Sequence, residues 1–209
     1  MSYTLRFCAR CFLALAKKLL FLEVPITSLS FSGKLIMHLE LMILRHGHAM
    51  NNPPAWDDRG DFGRKLSDRG LQQCAAIGRW IKINNRQPDR IICSPAVRAN
   101  ATAIATCGAA DIDQNDIVFD ERIYETELDD LMDVIISTPD NINRLLLVGH
   151  NPGLEYLILA LTNGVVPRSR TGELMSPANL ACLKVNDSWS NLQAGCASCE
   201  QIIRPDDPA

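Results

Sequence analysis

The chain has 209 residues, of which 47% are hydrophobic and 22% are charged, and its formal net charge is −3. This length and composition are typical of one globular domain with a full hydrophobic core, and the small net charge excludes a general electrostatic attraction to nucleic acid or to anionic membranes. The eight cysteines are scattered, mostly in apolar contexts, which favours buried thiols in a reducing compartment over a disulfide framework. We therefore expect a cytoplasmic monomer, with neither a nucleic acid nor a membrane as its partner.

Residues 1–36 differ in composition from the rest, and we expect them to form a poorly packed N-terminal extension ahead of one domain at residues 37–209. Two adjacent lysines split the apolar centre that a signal peptide requires, and no run approaches the roughly 20 apolar residues of a membrane span. Because Met37 and Met42 lie close to the start of the first predicted strand, the favoured interpretation is upstream sequence read from too early a start. A weak amphipathic helix and a targeting arm are the alternatives.

The first strand is predicted from Leu39 to Leu44, because this apolar run ends abruptly in Arg45-His46-Gly47. Ligands of open α/β sheets bind beyond the carboxyl ends of the strands, so Arg45 and His46 stand where a reacting group would be bound. Taken alone, the pair fits an ordinary strand end with two surface polar residues slightly better. The loop at residues 51–65 is long enough to act as a flap over the strand ends.

The first helix is predicted to begin after Ser67, which is a typical N-cap residue. The spacing of Leu71, Cys74, Ala75, Gly78 and Ile81 is that of a helix face packed on the core. This helix follows the flap directly and is expected to cover one face of the sheet.

A second strand, Arg90 to Cys93, leads into Ser94-Pro95, which is a strong helix start with an N-cap residue followed by proline. This start places Arg98 in the first turn of the helix, at the end that faces the strand tips. The ordinary alternative for Arg98 is a surface or salt-bridge arginine.

A third, short strand is predicted at residues 117–119. Thr126 and Asp129 then resemble a capping box for the next helix. Glu125 and Glu127 flank this cap, and their ordinary role would be to complement the helix dipole.

The clearest buried strand, residues 145–148, ends in Gly149 and His150. Asn151 is predicted to cap the following helix, with Pro152 at its first position. His150 is therefore expected at a strand tip beside a helix N-terminus.

The last two predicted strands, residues 180–185 and 197–203, have no helix between them. An antiparallel pair at one edge of the sheet is therefore expected.

Three strand-to-turn junctions thus bring two arginines and two histidines to one crevice: Arg45, His46, Arg98 and His150. Together with helix amides, these side chains describe a pocket for a tetrahedral oxyanion, most plausibly phosphate. The sequence has no P-loop and no carboxylate cluster suited to two metal ions. A phosphate pocket without metal needs a protein nucleophile or a positioned water, and a neutral imidazole is a competent nucleophile because its ordinary pKa is about 6.5.

At about residues 39–205 the chain resembles the histidine phosphatase superfamily and, within it, the bacterial phosphohistidine phosphatases. The resemblance implies an α/β fold of the phosphoglycerate mutase type, a three-layer α/β/α sandwich whose mostly parallel sheet has an antiparallel edge. The motifs that carry it are Arg45-His46-Gly47, Leu66-Ser67-Asp68-Arg69-Gly70, Ser94-Pro95-x-x-Arg98, Ala99 to Ala103, Val148-Gly149-His150-Asn151-Pro152-Gly153 and the closing Arg204-Pro205.

The resemblance also implies a phosphatase that needs no metal or other cofactor. His46 would attack phosphorus and become phosphorylated, and water would then release phosphate. Arg45, Arg98 and His150 would hold the oxygens of the phosphoryl group and stabilise the charge of the transition state.

Two further roles follow from the resemblance. Glu125 is the first choice for the acid that protonates the leaving group, with Glu127, or no residue at all, as the alternatives. Asn52 is expected to contact phosphate. The substrate is expected to be a phosphorylated protein, such as a phosphohistidine carrier domain, or a small phosphorylated metabolite.

Three other functions stay open at this point. His46, His48 and His150 would suit three ligands of a metal ion. The pocket would also serve a non-catalytic phosphate-binding module. A phosphotransferase of the phosphoglycerate mutase type would share the pocket, although the short flap and few additional basic residues speak against a polyanionic substrate.

Overall fold

The computed structural model describes residues 39–52, 58–167 and 172–206, so the predicted N-terminal extension lies outside the described residues. The described ranges contain no helix with the length and apolar composition that crossing a bilayer requires. They form six strands, β1 (Leu39–Arg45), β2 (Arg90–Cys93), β3 (Ile117–Phe119), β4 (Arg144–Gly149), β5 (Leu180–Val185) and β6 (Ala197–Ile203). They also form four α-helices, α1 (Asp68–Ile83), α2 (Val97–Ala110), α3 (Leu128–Ile136) and α4 (Gly153–Leu161).

The strands form one sheet in the order β3-β2-β4-β1-β5-β6. The pairs β2–β3, β2–β4 and β1–β4 are parallel, whereas β5 is antiparallel to both β1 and β6. The predicted α/β fold with a mostly parallel sheet and an antiparallel edge is thus confirmed. In particular, the last two strands pair with each other at the edge where no helix separates them in the sequence.

Helices cover both faces of the sheet. Alternate side chains of each strand point to opposite sides, so each strand contributes to two separate hydrophobic clusters. Met42 and Leu44 of β1 pack with α1 and α2 on one face. Leu41 and Ile43 pack with α3 and α4 on the other. The central strands are buried on both faces, which explains why they appear in the sequence as continuous apolar runs. Each of the six cysteines in the described ranges is a free thiol.

Helix α1 begins as predicted, since the Ser67 hydroxyl oxygen accepts a hydrogen bond from the backbone N–H of Gly70 at 3.2 Å. The prediction of Leu71 as a core residue is wrong, because its side chain is 44% exposed. The predicted burial of Cys74, Gly78 and Ile81 is confirmed, and the helix also buries Gly70, Gln73 and Ile77.

The other three helices begin later than the sequence pattern predicts. Their N-cap residues are Ala96, Glu127 and Pro152. The Ser94 hydroxyl oxygen lies 2.8 Å from a ring nitrogen of His150, and the Asn151 amide donates to the carbonyl oxygen of Met175 at 3.0 Å. Thr126 donates its hydroxyl to a neighbouring carbonyl oxygen. Ser94 and Asn151 therefore serve tertiary contacts that local sequence rules do not reveal.

Gly78 lies where α1 crosses α2, and its substitution tests that packing. A Cβ at this position would collide with the carbonyl oxygen of Thr106 and lie 2.7 Å from the Cβ of Ala109. We expect Gly78→Ala to lower the free energy of unfolding by about 1–3 kcal/mol through overpacking, although alanine is the better helix former. Gly108→Ala is the matched control, because its nearest neighbour is the Gln114 amide at 3.8 Å. Equal stability of both variants in urea unfolding would contradict the close crossing.

Candidate active site

The pairing of β1 with β4 brings the two predicted histidines together. Arg45 and Gly149, the last residues of these parallel strands, are partners in the register, so the residues that follow lie side by side. The rings of His46 and His150 have their centroids 5.1 Å apart, and both residues are buried. The predicted convergence of strand ends on one crevice is therefore present in the structure.

Two arginines predicted from the sequence reach the same crevice. Arg98 lies in the first turn of α2 and is 5% exposed. Arg45 ends β1, and its Nη1 donates to the carbonyl oxygen of Met175 at 2.6 Å. The charges of Arg98 and Arg45 both depress the pKa values of His46 and His150. Two guanidinium groups and two imidazoles thus share one electrostatic environment.

His46 is held as a neutral imidazole. Its Nδ1 lies 2.8 Å from the carbonyl oxygen of Gly47. Because a carbonyl oxygen only accepts hydrogen bonds, we assign the ring proton to Nδ1, which leaves a lone pair on Nε2. Burial above all, with the positive charges of Arg98 and Arg45, lowers the pKa of His46 to about 4. A neutral ring with a free Nε2 is the form that a nucleophile requires.

His150 is held in a way that allows it to donate a hydrogen bond. Its Nε2 lies 2.8 Å from the hydroxyl oxygen of Ser94. That oxygen accepts from the backbone N–H of Ala96 at 3.4 Å, so the Ser94 hydroxyl proton is available to His150 Nε2. We therefore assign the proton of the His150 ring to Nδ1, with Nε2 accepting from the Ser94 hydroxyl. Burial, followed by the charge of Arg98, lowers the pKa of His150 to about 2, so the ring stays neutral.

Among Arg45, His46, Arg98 and His150, three buried nitrogen atoms have no hydrogen-bond partner among the described residues. They are the Nε atoms of Arg45 and Arg98 and the Nδ1 of His150. An unpaired buried donor is costly and calls for an explanation. A group of such donors beside buried positive charge suits an oxyanion such as phosphate, which accepts several charge-assisted hydrogen bonds.

Arg64 is a further cationic residue that the sequence reasoning did not single out. It follows a short 3-10 helix in the flap, Gly60–Gly63, and its charge depresses the pKa values of His46 and His150. The only signal in the sequence was a basic residue just before the cap of α1. That signal is weak, because the flap also contains Arg59 and Lys65.

A cavity of about 810 Å³ opens beside this crevice. Arg98 and His150 line it, and so do both predicted acids, Glu125 and Glu127. Glu125 is exposed and has a positive φ of 48°, a left-handed conformation that costs energy in a residue with a side chain. Asn52 is exposed and is not among the described residues that line this cavity, so its phosphate contact stays a prediction.

The three histidines proposed as metal ligands do not converge. His48 Nδ1 lies 2.8 Å from the hydroxyl oxygen of Ser67, at the start of α1. Within the described residues, no group of three or more His, Cys, Asp or Glu side chains is arranged to hold a metal ion. The placement of His46, His48 and His150 therefore gives the metal-site alternative no support.

Comparison with protein families gives a match over the central part of the domain. The family model described as histidine phosphatase superfamily (branch 1) matches residues 41–147, just over half of the chain. An uncharacterized protein of Mycobacterium tuberculosis is 29% identical over 155 residues, which cover 72% of this chain and 94% of the relative. An uncharacterized protein of Mycobacterium leprae is 26% identical over 151 residues, covering 70% and 91% of the two chains.

Comparison with solved structures shows the same fold. A proposed phosphohistidine phosphatase, SixA, of Nakamurella multipartitia has a TM-score of 0.67 at 23% identity, covering 81% of this chain and 98% of its own. The protein histidine phosphatase SixA complexed with tungstate has a TM-score of 0.63 at 18% identity, covering 80% and 97%. A mycobacterial glucosyl-3-phosphoglycerate phosphatase has a TM-score of 0.55 at 17% identity, covering 78% and 97%.

The neutral state of the buried histidines should make the protein less stable in acid. His46 has a pKa of about 4 when folded and an ordinary value of 6.5. Between these two pH values the unfolded chain binds a proton that the folded chain does not. The free energy of unfolding therefore keeps its full value above pH 6.5 and decreases as the pH falls towards 4. His150 acts in the same direction.

Thermal unfolding at a series of pH values measures this effect. We expect His150→Gln to lose less stability on acidification than the wild type does, because one buried histidine no longer has to stay neutral. His48→Gln is the control and should follow the wild-type curve. Parallel curves for wild type and His150→Gln would contradict the neutral, buried state of His150.

Proposed function

Because this chain belongs to the histidine phosphatase superfamily, we propose that it is a phosphatase whose nucleophile is His46. The observation that carries the proposal is the state of His46, neutral and buried, with Nδ1 bonded to a main-chain carbonyl and Nε2 free. His150 and buried guanidinium groups surround it with donors suited to the oxygens of a phosphoryl group.

In the first step, the Nε2 lone pair of His46 forms a bond to phosphorus while the bond from phosphorus to the leaving group breaks. The leaving group takes the electron pair of the broken bond and a proton, for which Glu125 is the proposed donor. In the second step, water attacks phosphorus and gives a proton back to the same carboxylate, the P–N bond breaks, and its electron pair returns to Nε2. Hydrolysis thus restores the neutral imidazole and releases inorganic phosphate.

Charge on the equatorial oxygens spreads during both steps, and fixed donors stabilise it. We assign this role to the guanidinium groups of Arg45 and Arg98 and to the Nδ1–H of His150. Arg64 joins this set, since its charge acts on both histidines.

The cavity beside the crevice favours some leaving groups over others. Glu125 and Glu127 present carboxylates to it, and Leu128, Tyr156 and Leu159 present apolar surface. Carboxylates would repel a polyanionic substrate, which speaks against a reaction of the phosphoglycerate mutase type. A neutral or cationic leaving group, such as the imidazole of phosphohistidine, suits this lining better.

The names of the structural relatives span both substrate classes, phosphohistidine for SixA and a phosphorylated sugar acid for the mycobacterial phosphatase. We propose a protein phosphohistidine as the first candidate substrate and a small phosphomonoester as the second. A non-catalytic phosphate-binding module remains the alternative from another class of function, and trapping of phosphate on His46 would exclude it.

Substitution of the nucleophile tests the proposal most directly. We expect His46→Ala to abolish hydrolysis of 4-nitrophenyl phosphate and covalent labelling by substrate in samples quenched with denaturant at alkaline pH, where a P–N bond survives, because the proposed nucleophile is gone. Arg98→Ala should retain the nucleophile but lose about 10²–10³-fold in kcat. His48→Ala, two residues from the nucleophile, is the matched control and should stay active. An active His46→Ala enzyme would refute the mechanism.

The role of Glu125 depends on how much help the leaving group needs. If Glu125 supplies the proton, Glu125→Gln should lower kcat about 10²–10⁴-fold for an alkyl phosphate. It should have little effect on phosphohistidine, because a protonated imidazole leaves readily. Glu127→Gln is the parallel variant, and a selective loss there instead would identify Glu127 as the acid. An equal loss on both substrates would argue against proton donation by Glu125.

A further inference from the structure

Asp61 makes an unusual pair of contacts with Arg98. The residue lies in the flap, in the 3-10 helix Gly60–Gly63. Arg98 Nη1 donates to the main-chain carbonyl oxygen of Asp61 at 2.7 Å, and Arg98 Nη2 donates to its Oδ2 at 2.7 Å. One flap residue therefore holds both terminal nitrogens of a buried guanidinium group.

These contacts leave a defined part of Arg98 for an anion. Each Nη atom donates one of its two N–H groups to Asp61, so the second N–H of each Nη and the Nε–H remain for an anion. Of these atoms, the buried Nε has no partner among the described residues and marks the edge that is open to an anion. A carboxylate that competed with phosphate for Arg98 would be expected to cover this edge. Asp61 instead binds the far end of the guanidinium group and fixes its plane, so the Nε edge is presented in one orientation.

The same carboxylate contacts other parts of the crevice. Asp61 Oδ1 lies 3.2 Å from Arg64 Nε, and Asp61 Oδ2 accepts a hydrogen bond from the Tyr124 hydroxyl at 3.3 Å. The Tyr124 ring packs edge-on against His150, with centroids 5.6 Å apart. Asp61 thus contacts Arg64 within the flap and connects the flap to Arg98 and, through Tyr124, to His150.

The carboxylate is charged when it makes these contacts. Burial alone would raise the pKa of Asp61, but the neighbouring guanidinium groups of Arg98 and Arg64 outweigh it and lower the pKa. An ionised Asp61 strengthens its hydrogen bonds to arginine. It also places a negative charge near the bound phosphoryl group, so its presence should not improve the binding of an anion.

We propose that Asp61 is a positioning residue, which orients the guanidinium group of Arg98 for the phosphoryl oxygens and ties this orientation to the flap. The inference rests on the proposed function, because it acts through the role of Arg98 in transition-state stabilisation. We therefore expect the loss of Asp61 to lower kcat, because a catalytic group that is displaced by even a small distance reduces the rate. Its effect on the binding of phosphate should be absent or opposite in sign.

The test compares Asp61→Asn with wild type for kcat, for KM and for inhibition by inorganic phosphate. We expect kcat to fall about 10–100-fold, while the inhibition constant of phosphate is unchanged or lower because a nearby negative charge is removed. Asp58→Asn, which changes an exposed acid of the same flap, is the matched control and should retain wild-type kinetics. A variant that merely folds poorly would instead weaken phosphate binding and lower the thermal midpoint.

A double-mutant cycle tests whether Asp61 acts through Arg98. In the Arg98→Ala background, Asp61→Asn should change kcat less than about twofold, because the group that it positions is gone. The same loss in both backgrounds would overturn the proposal, and so would an Asp61→Asn enzyme as fast as wild type or faster. If Asp61→Asn does not fold, Asp61→Glu, which keeps the charge but displaces it, should show the same loss of kcat.

The two proposals can fail separately. If His46→Ala and Arg98→Ala remain active, the proposed function fails, and the role of Asp61 fails with it. If both variants are inactive or crippled but Asp61→Asn is not, only the positioning role is wrong.

Discussion

The parallel pairing of β1 with β4 is the constraint on which the candidate site depends. The two strands end in register, and the backbone N–H of His46 donates to the carbonyl oxygen of Gly149 at 3.0 Å. A shift of one residue would turn every side chain of β1 to the opposite face. The apolar side chains of β1, buried on both faces by the helices, therefore fix the position of His46 beside His150. The hydrogen bonds between β1 and β4 thus determine both which side chains enter the core and where His46 lies.

The candidate site buries the charged guanidinium groups of arginine close to two imidazole rings and thereby lowers the pKa values of both histidines. Arginine stays charged under ordinary conditions, whereas histidine can give up its proton. Where both types are buried together, the histidines become neutral, and the pKa of His46 falls to about 4. The arrangement thus combines the proposed nucleophile with an attraction for anions, two properties that a protonated histidine could not supply together. The main-chain carbonyl oxygen of Gly47, which can only accept, then selects Nδ1 as the ring nitrogen of His46 that carries the proton.

The sequence was sufficient to predict the strands and the residues at their ends, because continuous apolar runs and glycine turns are local signals. The six strands and the approach of His46 to His150 follow from these signals and from the direction of the strands. The flap contacts could not be predicted in this way. The hydrogen bonds of Asp61 to Arg98 join residues that are 37 positions apart, and no periodic pattern connects them. Ser94 was predicted as a helix cap because the sequence shows only its local context. Its actual contact, with His150, forms only when the sheet brings β2 and β4 together.

The hydrogen bond from His46 Nδ1 to the carbonyl oxygen of Gly47 also determines the isomer of the proposed intermediate. With Nδ1 occupied, the phosphoryl group is carried on Nε2, which gives the tele isomer of phosphohistidine. The proton on Nδ1 keeps its main-chain partner in both half-reactions. After phosphate has left, the ring is already in the tautomer that the next turnover needs, so the catalytic cycle requires no proton rearrangement within the imidazole.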